Sequence, residues 1–361
     1  MSETPQSDRA VYRAHPTVRI ESQEYPKLTE LVIAMEMTER EGGMSSLELR
    51  LSNFASDTEG SANLAFEDEE ILKLGAQIQV YCGDEDSPIE IFHGVITGLE
   101  GDFRLEGAPE LVVLAEDKFQ QARMKRRTQI HEDATISGLA NDLASQLGLT
   151  PVITGLSDNI GTQVQLNESD LAFLRRLLAH HDGDLQVVGT EMHVSKRSDV
   201  QRGSIELEMA SQLHRARVLA DLSQQVTQIT LTGWDASQGQ RVSVTSTGAS
   251  PGPGSGRTGK ELLSDKIGDR SEHLGHFAIS NTDEARALAA AAFDMRARRF
   301  VCVDATAEGN PSLRVGTHVT LKGMGNRFNN TYYVVNARHR YDLTRGYETD
   351  FAAESSYWGQ P

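Results

Sequence analysis

QLNESDLAFLRRLLAHHDGDLQVVGTEMHVSK, residues 165–196, decides more of the fold than any other stretch of this 361-residue chain. Asn167 or Ser169 can cap a helix, because a side-chain oxygen there accepts from helix N–H groups that lack an intrahelical partner. Leu171, Leu174, Leu177 and Leu178 then recur at helical spacing. Gly183 is expected to end the helix in left-handed backbone. Two short strands follow, 185–188 and 192–195, joined by Gly189-Thr190, a Gly-X pair suited to a two-residue hairpin. The unit holds no evident catalytic set.

Upstream, the first 118 residues alternate. Leu31, Ile33, Met35 and Met37 keep period two, as do Leu47, Leu49 and Leu51, and Ile78, Val80 and Cys82. Such patterning puts one strand face on a core and the other toward solvent or a partner. The turn-rich GDEDSP (83–88) separates two strands, and IFHGVITGLEG and PELVVLAED continue the pattern. A small antiparallel barrel or sandwich is the expected result. From residue 119 to 200 the texture is mixed α/β. Thr135 can cap a helix carrying Ile136, Leu139, Leu143 and Leu147, with Gly148 ending it.

Strands return at 204–209, 226–234 and 241–247. GASPGPGSGRTG (248–259) reads as a mobile loop. A helix is expected over 282–299, with Asn281 and Glu284 at capping-box spacing and a basic last turn that suits the helix dipole. Strands follow at 300–306, 315–321, 332–341 and 347–352. The fold class expected is α+β, mainly antiparallel β. It divides into a β domain (1–118), an α/β domain (119–200), a second β domain (201–245 with 300–361), and a loop and helical insertion (246–299). The two β modules have the size of a distant duplication, although no short-period repeat is visible.

Composition narrows the function. A formal net charge of −17 argues against a general nucleic-acid binder, which would be basic. Cys82 and Cys302 are the two cysteines, 220 positions apart, so neither a disulfide scaffold nor a C-x-x-C zinc site is present. They read as reduced, buried thiols. The polar start MSETPQSDRAVYRAHP lacks the apolar core of a secretory signal, and no run reaches the ~18 apolar residues that span a bilayer. Synthesis in the cytoplasm without a membrane anchor is the expectation.

Motif tests are mostly negative. Gly254–Glu261 nearly matches the phosphate loop G-x-x-x-x-G-K-[ST], but Glu261 stands where a hydroxyl is needed and no strand precedes it; an insertion loop is the simpler reading. His180 and His181 point in different directions from a helix end, where a cationic group suits the free carbonyls. His131-Glu132 begins like H-E-x-x-H, but Thr135 breaks the pattern. No G-x-S-x-G or G-x-G-x-x-G occurs, and no carboxylate pair can be placed across a cleft. No catalytic, cofactor-binding or metal-binding residue is assigned. Arg123, Lys125, Arg126 and Arg127 form the one basic cluster. They read either as a solvated, internally paired face or as an electrostatic contact with an acidic partner.

Three stretches resemble the late control D family of phage baseplate hubs, together with hubs of R-type bacteriocins and extracellular contractile injection systems and the N-terminal half of VgrG. They are LELRLSN (47–53) with IEIFHGVITG (89–98); ESDLAFLRRLLAHHDGDLQVVGTEMHV (168–194); and LRVGTHVTLKG (313–323) with YYVVNARHRYDLTRGYETDFAAE (332–354). The resemblance implies two tube-like β-barrel domains per chain and a homotrimer forming a pseudo-sixfold ring between the tail tube and a central spike. The α/β segment and the insertion would sit outside that ring. Implied partners are further copies of the chain, the spike, tube and wedge proteins, with the tape measure protein a further candidate. The function implied is structural, without cofactors, for a protein made in a bacterial cytoplasm and incorporated in a virion tail or extracellular particle. Strands 89–98 and 332–340 are the expected ring or tube contacts. The chain ends at Pro361 where VgrG continues, so a separate spike protein is expected. The rivals are a tail-associated cell-wall hydrolase and a tail-assembly adaptor.

Overall fold

The computed structural model describes residues 15–56, 62–67, 69–84, 87–235, 238–279 and 282–359. Most of the ordered backbone is antiparallel β, organised by one thirteen-stranded sheet. Seven of its strands come from the first third of the chain, the two-residue Gln23–Glu24 and six longer ones: β1 (Thr17–Ile20), β2 (Val32–Arg40), β3 (Ser45–Ser52), β4 (Gln77–Gly83), β5 (Pro88–Asp102) and β6 (Glu110–Glu116). The two-residue strand Gln23–Glu24 pairs with β1, and a short helix, α1 (Pro26–Glu30), leads into β2. The period-two reading holds for Met35, Met37, Leu47, Leu49, Leu51, Ile78, Val80 and Cys82, which share one core, but a bulge at Ile33 shifts the start of β2, so Val32 and not Ile33 is buried there.

Between the two β blocks lies the α/β part: α2 (Phe119–Met124), β7 (Arg126–His131), α3 (Ile136–Leu147), β8 (Thr150–Ile153), β9 (Gln163–Ser169), α4 (Asp170–His180), β10 (Gly183–Val188) and β11 (Glu191–Lys196). β7 and β9 form a two-stranded ribbon, and β8-β11-β10 a small mixed sheet. Thr135 Oγ1 caps α3 by accepting from Gly138 N, and Gly148 closes it at φ 63°. Ser169 rather than Asn167 caps α4, accepting from Ala172 N. Leu171, Leu174, Leu177 and Leu178 are all buried on α4, each contributing about 1.5–3 kcal/mol by leaving water. Gly183 does not end that helix in left-handed backbone. Asp182 takes the positive φ, 48°, and Gly183 opens β10. Glycine is needed there for another reason: a Cβ would stand 2.3 Å from Leu178 Cδ2.

The second block supplies β12 (Gly203–Glu208), β13 (Leu213–Ala220), then, after an insertion, β17 (Val301–Glu308), β18 (Thr317–Lys322), β19 (Asn330–Asp342) and β20 (Gly346–Ser355). The insertion holds β14 (Gln228–Asp235), β15 (Gln240–Ser246), α5 (Gly259–Lys266), β16 (Ser271–Ile279) and α6 (Thr282–Ala297). β14 and β15, read from sequence with the second β module, pair instead with β16 in a separate three-stranded sheet that α6 covers. Asn281, the expected cap of α6, lies outside the described residues.

The two β blocks repeat one another strand for strand. In the sheet the first runs β1-β4-β5-β6-β3-β2 and the second β12-β18-β19-β20-β17-β13, each in the same chain order. The irregularities repeat too. Ile33 is the extra residue between β2 and β3, as His214 is between β13 and β17. Thr97 is the extra residue between β5 and β6, as Val335 is between β19 and β20. A bulge twists and bends its strand, so matched bulges give matched curvature. One difference is that β1 is antiparallel to β4 whereas β12 is parallel to β18. The blocks are joined edge to edge by the antiparallel pair β2–β19, and Tyr341 and Tyr347 of the second block are buried in the core of the first.

Candidate functional site

The basic cluster named from sequence divides in two. Arg123, at the end of α2, pairs with Glu116 at 2.5 Å, and Arg127 on β7 pairs with Asp170 at 2.6 Å. Lys125 and Arg126 are exposed. On the same ribbon Ile130 stands opposite Val164, and Leu166 lies opposite Thr128; all three apolar side chains are exposed. Exposed apolar groups beside unneutralised cations are what a partner-facing surface presents. Sequence reading missed this apolar half, although the strict exposure of β7 could have been sought in its polar alternation, RRTQIH.

A second feature was invisible in the sequence: a charge cluster where the parts of the chain meet. Arg197, next after β11, donates to Glu41 of the β2–β3 turn and, at 3.4 Å, to Glu354 of β20. Its guanidinium lies 3.8 Å from the Tyr333 ring centre. Arg298, just after α6, pairs with Asp182 and, at 3.4 Å, with Glu354. Arg202 pairs with the buried Asp184, and Arg175 of α4 donates to the carbonyls of Gly42 and Gly43 at 2.6 and 2.5 Å. Burial pushes the Glu354 carboxyl up, and the arginines around it oppose that. Burial works against the Arg298 charge, but Asp182, Glu41 and Glu354 hold its pKa above the ordinary value. Buried charges persist only when paired, so these contacts fix the α/β part and the α6 end against both β blocks.

The arrangement closest to a nucleophilic set lies inside the β2–β19 seam. Tyr347 contacts the Cys82 thiol, and its hydroxyl lies 2.7 Å from His339 Nδ1. Burial drives the Cys82 thiol far up and holds His339 neutral, with a pKa of about 3. Glu39, beside them, is buried too; Arg314 offsets that burial and lowers its pKa. A thiol without thiolate character, closed off from solvent, packs rather than reacts. Among the described residues no group of three or more His, Cys, Asp or Glu is placed to hold a metal ion.

The phosphate-loop look-alike has a structural use. Thr258 Oγ1 accepts from Glu261 N, and Glu261 Oε2 accepts from Thr258 N at 2.8 Å, a full capping box at the start of α5. The box thus takes up the N–H groups of Thr258 and Glu261, which a phosphate would need. The preceding Gly/Pro/Ser stretch is strapped down, contrary to the mobile loop expected. Asp294 accepts from Ala249 N and Ser250 N, Asn330 holds Ser255 through both its amide atoms, and Ser355 and Ser356 donate to the carbonyls of Pro253 and Pro251. His181 lines a cleft of about 540 Å³ between the α4 end and α6; burial lowers its pKa while Glu284 opposes that. No helix among the described residues is long and apolar enough to cross a membrane.

The family model described as Alg8 N-terminal domain matches residues 27–342. The chain belongs to the Alg8 N-terminal domain family. No curated protein matches its sequence. This Alg8 N-terminal domain family member is similar in fold to the 43 kDa tail protein of prophage MuSo2 from Shewanella oneidensis: TM-score 0.67, 12% identity, 94% of this chain and 97% of that one. It is similar to a tail protein of Neisseria meningitidis MC58: TM-score 0.65, 10% identity, 95% and 97% covered. A third neighbour is an E. coli type VI secretion component, described as structurally similar to the bacteriophage T4 tail proteins gp27 and gp5: TM-score 0.56, 12% identity, 95% and 79% covered. At such identities the likeness is one of fold.

Proposed function

We propose that the chain is a structural hub of a contractile tail or injection system, of the late control D type. What supports this most is the whole-length likeness to prophage tail proteins, combined with two six-strand blocks fused into one sheet. A chain carrying two equivalent blocks converts threefold symmetry into six near-equal positions, so three copies can face a sixfold tube on one side and a threefold spike on the other. In this reading the blocks are the two tube-like barrel domains, roughly 1–118 and 201–222 with 300–361. The α/β domain (119–200) and the insertion, which as folded runs from about 226 to 299, project outward. Lys125 and Arg126, with Ile130 and Leu166 beside them, contact a wedge or spike neighbour. The role is assembly rather than catalysis. The protein is made in a bacterial cytoplasm and carried into the particle.

The test is light scattering on a size-exclusion column, with and without the neighbouring spike protein, followed by negative-stain microscopy. A trimer of the 39.6 kDa chain appearing as a ring is the expected result. A chain that stays monomeric with the spike protein present would sink the reading.

A further inference from the structure

We propose that β13 of one copy pairs antiparallel with the second half of β5 in the next copy, repeating between chains the seam that β2 and β19 make within one. The inference rests on the hub reading for its ring, but its residues come from the repeat itself.

β2 corresponds to β13 and β19 to β5. The matched bulges set the register: Thr97 answers to Val335 and His214 to Ile33. Within the chain, β18 pairs with β19 only as far as Tyr333, and the same edge then receives β2 over Asn336–Asp342. In the first block β4 likewise pairs with β5 only as far as Val95, and among the described residues no strand pairs with Gly98–Asp102 on that edge. β13 is the terminal strand of the sheet, as β2 would be without β19. So each chain carries one filled junction, one free donor edge and one free acceptor edge. An unpaired edge is a template for another strand.

Transferring the register places Arg217 opposite Asp102, Leu219 opposite Glu100 and Ala216 opposite Phe103. The side chains suit this. Tyr341, the counterpart of Phe103, is 4% exposed in the filled seam, whereas Phe103 is 67% exposed and Leu219 55%. Phe103 lies over Gly101, where a Cβ would meet its ring at 2.7 Å, and so offers an apolar face to Ala216 and Val218. In the filled seam Glu36 pairs with Arg338. The corresponding pair between chains is Arg217 with Glu100, the same bridge with its signs exchanged. Arg215 falls opposite Arg104, whose charge Asp102 already offsets. The exchange of sign also disfavours pairing of two like edges. Donor and acceptor edges differ, so the contact is head-to-tail and closes only if its rotation matches the internal one; equal steps close at three chains.

The experiment is a register-specific cross-link in a Cys302→Ser background. Leu219→Cys with Glu100→Cys places the two Cα atoms about 4.5–5.5 Å apart, within the span a disulfide bridges, while Leu219→Cys with Asp102→Cys lies on a diagonal of about 7–8 Å. Mild oxidation should give dimers and trimers, and nothing larger, for the first pair and little for the second. Arg217→Glu and Glu100→Arg should each weaken self-association on the order of tenfold, and the double variant, which copies the signs of the internal seam, should recover most of it. A ring of three that forms without this cross-link and ignores the charge swap overturns the junction and leaves the hub reading standing. A ladder extending past trimer overturns ring closure. A chain that neither associates nor cross-links overturns both.

Discussion

The first and second β blocks have the same six-strand order and the same two bulges, but opposite surroundings. Among the described residues the first has the strand pair Phe54–Ser56 with Ala62–Leu64 between β3 and β4, while the second carries a whole sheet and two helices between β13 and β17. The first lends its core to Tyr341 and Tyr347; the second leaves its outer strand uncovered. Their charges at the equivalent edges are exchanged. Strand order and bulge position therefore carry the shape, and the residues on top of that shape were free to specialise into one permanent seam and one assembling edge.

The comparison breaks most severely at the shared charge cluster. Arg298→Ala leaves Asp182 and Glu354 short of a buried counter-charge, and loss of about 3–5 kcal/mol is expected in a urea melt. Should the loss stay under about 1 kcal/mol, the parts are not held by these charges. Next, Tyr341→Ala and Phe103→Ala test the two equivalent positions directly. The first should cost about 3–5 kcal/mol of chain stability, the second under about 0.5 kcal/mol. Equal costs would remove the distinction between filled and free junctions.

His339 gives a pH test of the seam. Its folded pKa, about 3, lies below the ordinary 6.5, so its contribution is full above pH 6.5 and is lost as pH falls toward 3. Between pH 7 and 5 the chain should lose about 2 kcal/mol that His339→Gln does not lose. Asp117, raised to about 6 by burial, acts oppositely, losing stability as pH rises from about 4 to 6; it is common to both proteins and drops out of the difference. Parallel pH curves for the two would show that His339 titrates freely. The smallest effect expected is at the cap of α5, where Thr258→Ala should cost about 1 kcal/mol. A binding gain for inorganic phosphate in that variant would reopen the phosphate-loop reading.

The sequence made the local units readable and left the long-range ones dark. Ser169, Thr135 and Gly148 announce their helix ends because capping is a matter of three or four adjacent residues. Alternation in VIAMEMTER and LELRLS marks strands because burial on one face repeats every second residue. The same alternation in β14 and β15 could not say which sheet they join, since period two is blind to partners. Asn330 and Asp294 hold a Gly/Pro-rich stretch that lies 44 to 75 residues away, a restraint no local rule contains. The pairing of Arg127 with Asp170, and the exposure of Ile130 and Leu166 beside it, likewise depend on how β7 meets β9.

The β2–β19 seam has one more consequence. Its two strands belong to a single polypeptide, so they meet at an effective concentration set by the connecting chain, not by the solution. Dilution cannot open it. An assembly built from such chains has only half of its junctions exposed to mass action, and it disassembles into pre-joined pairs of blocks rather than into single ones.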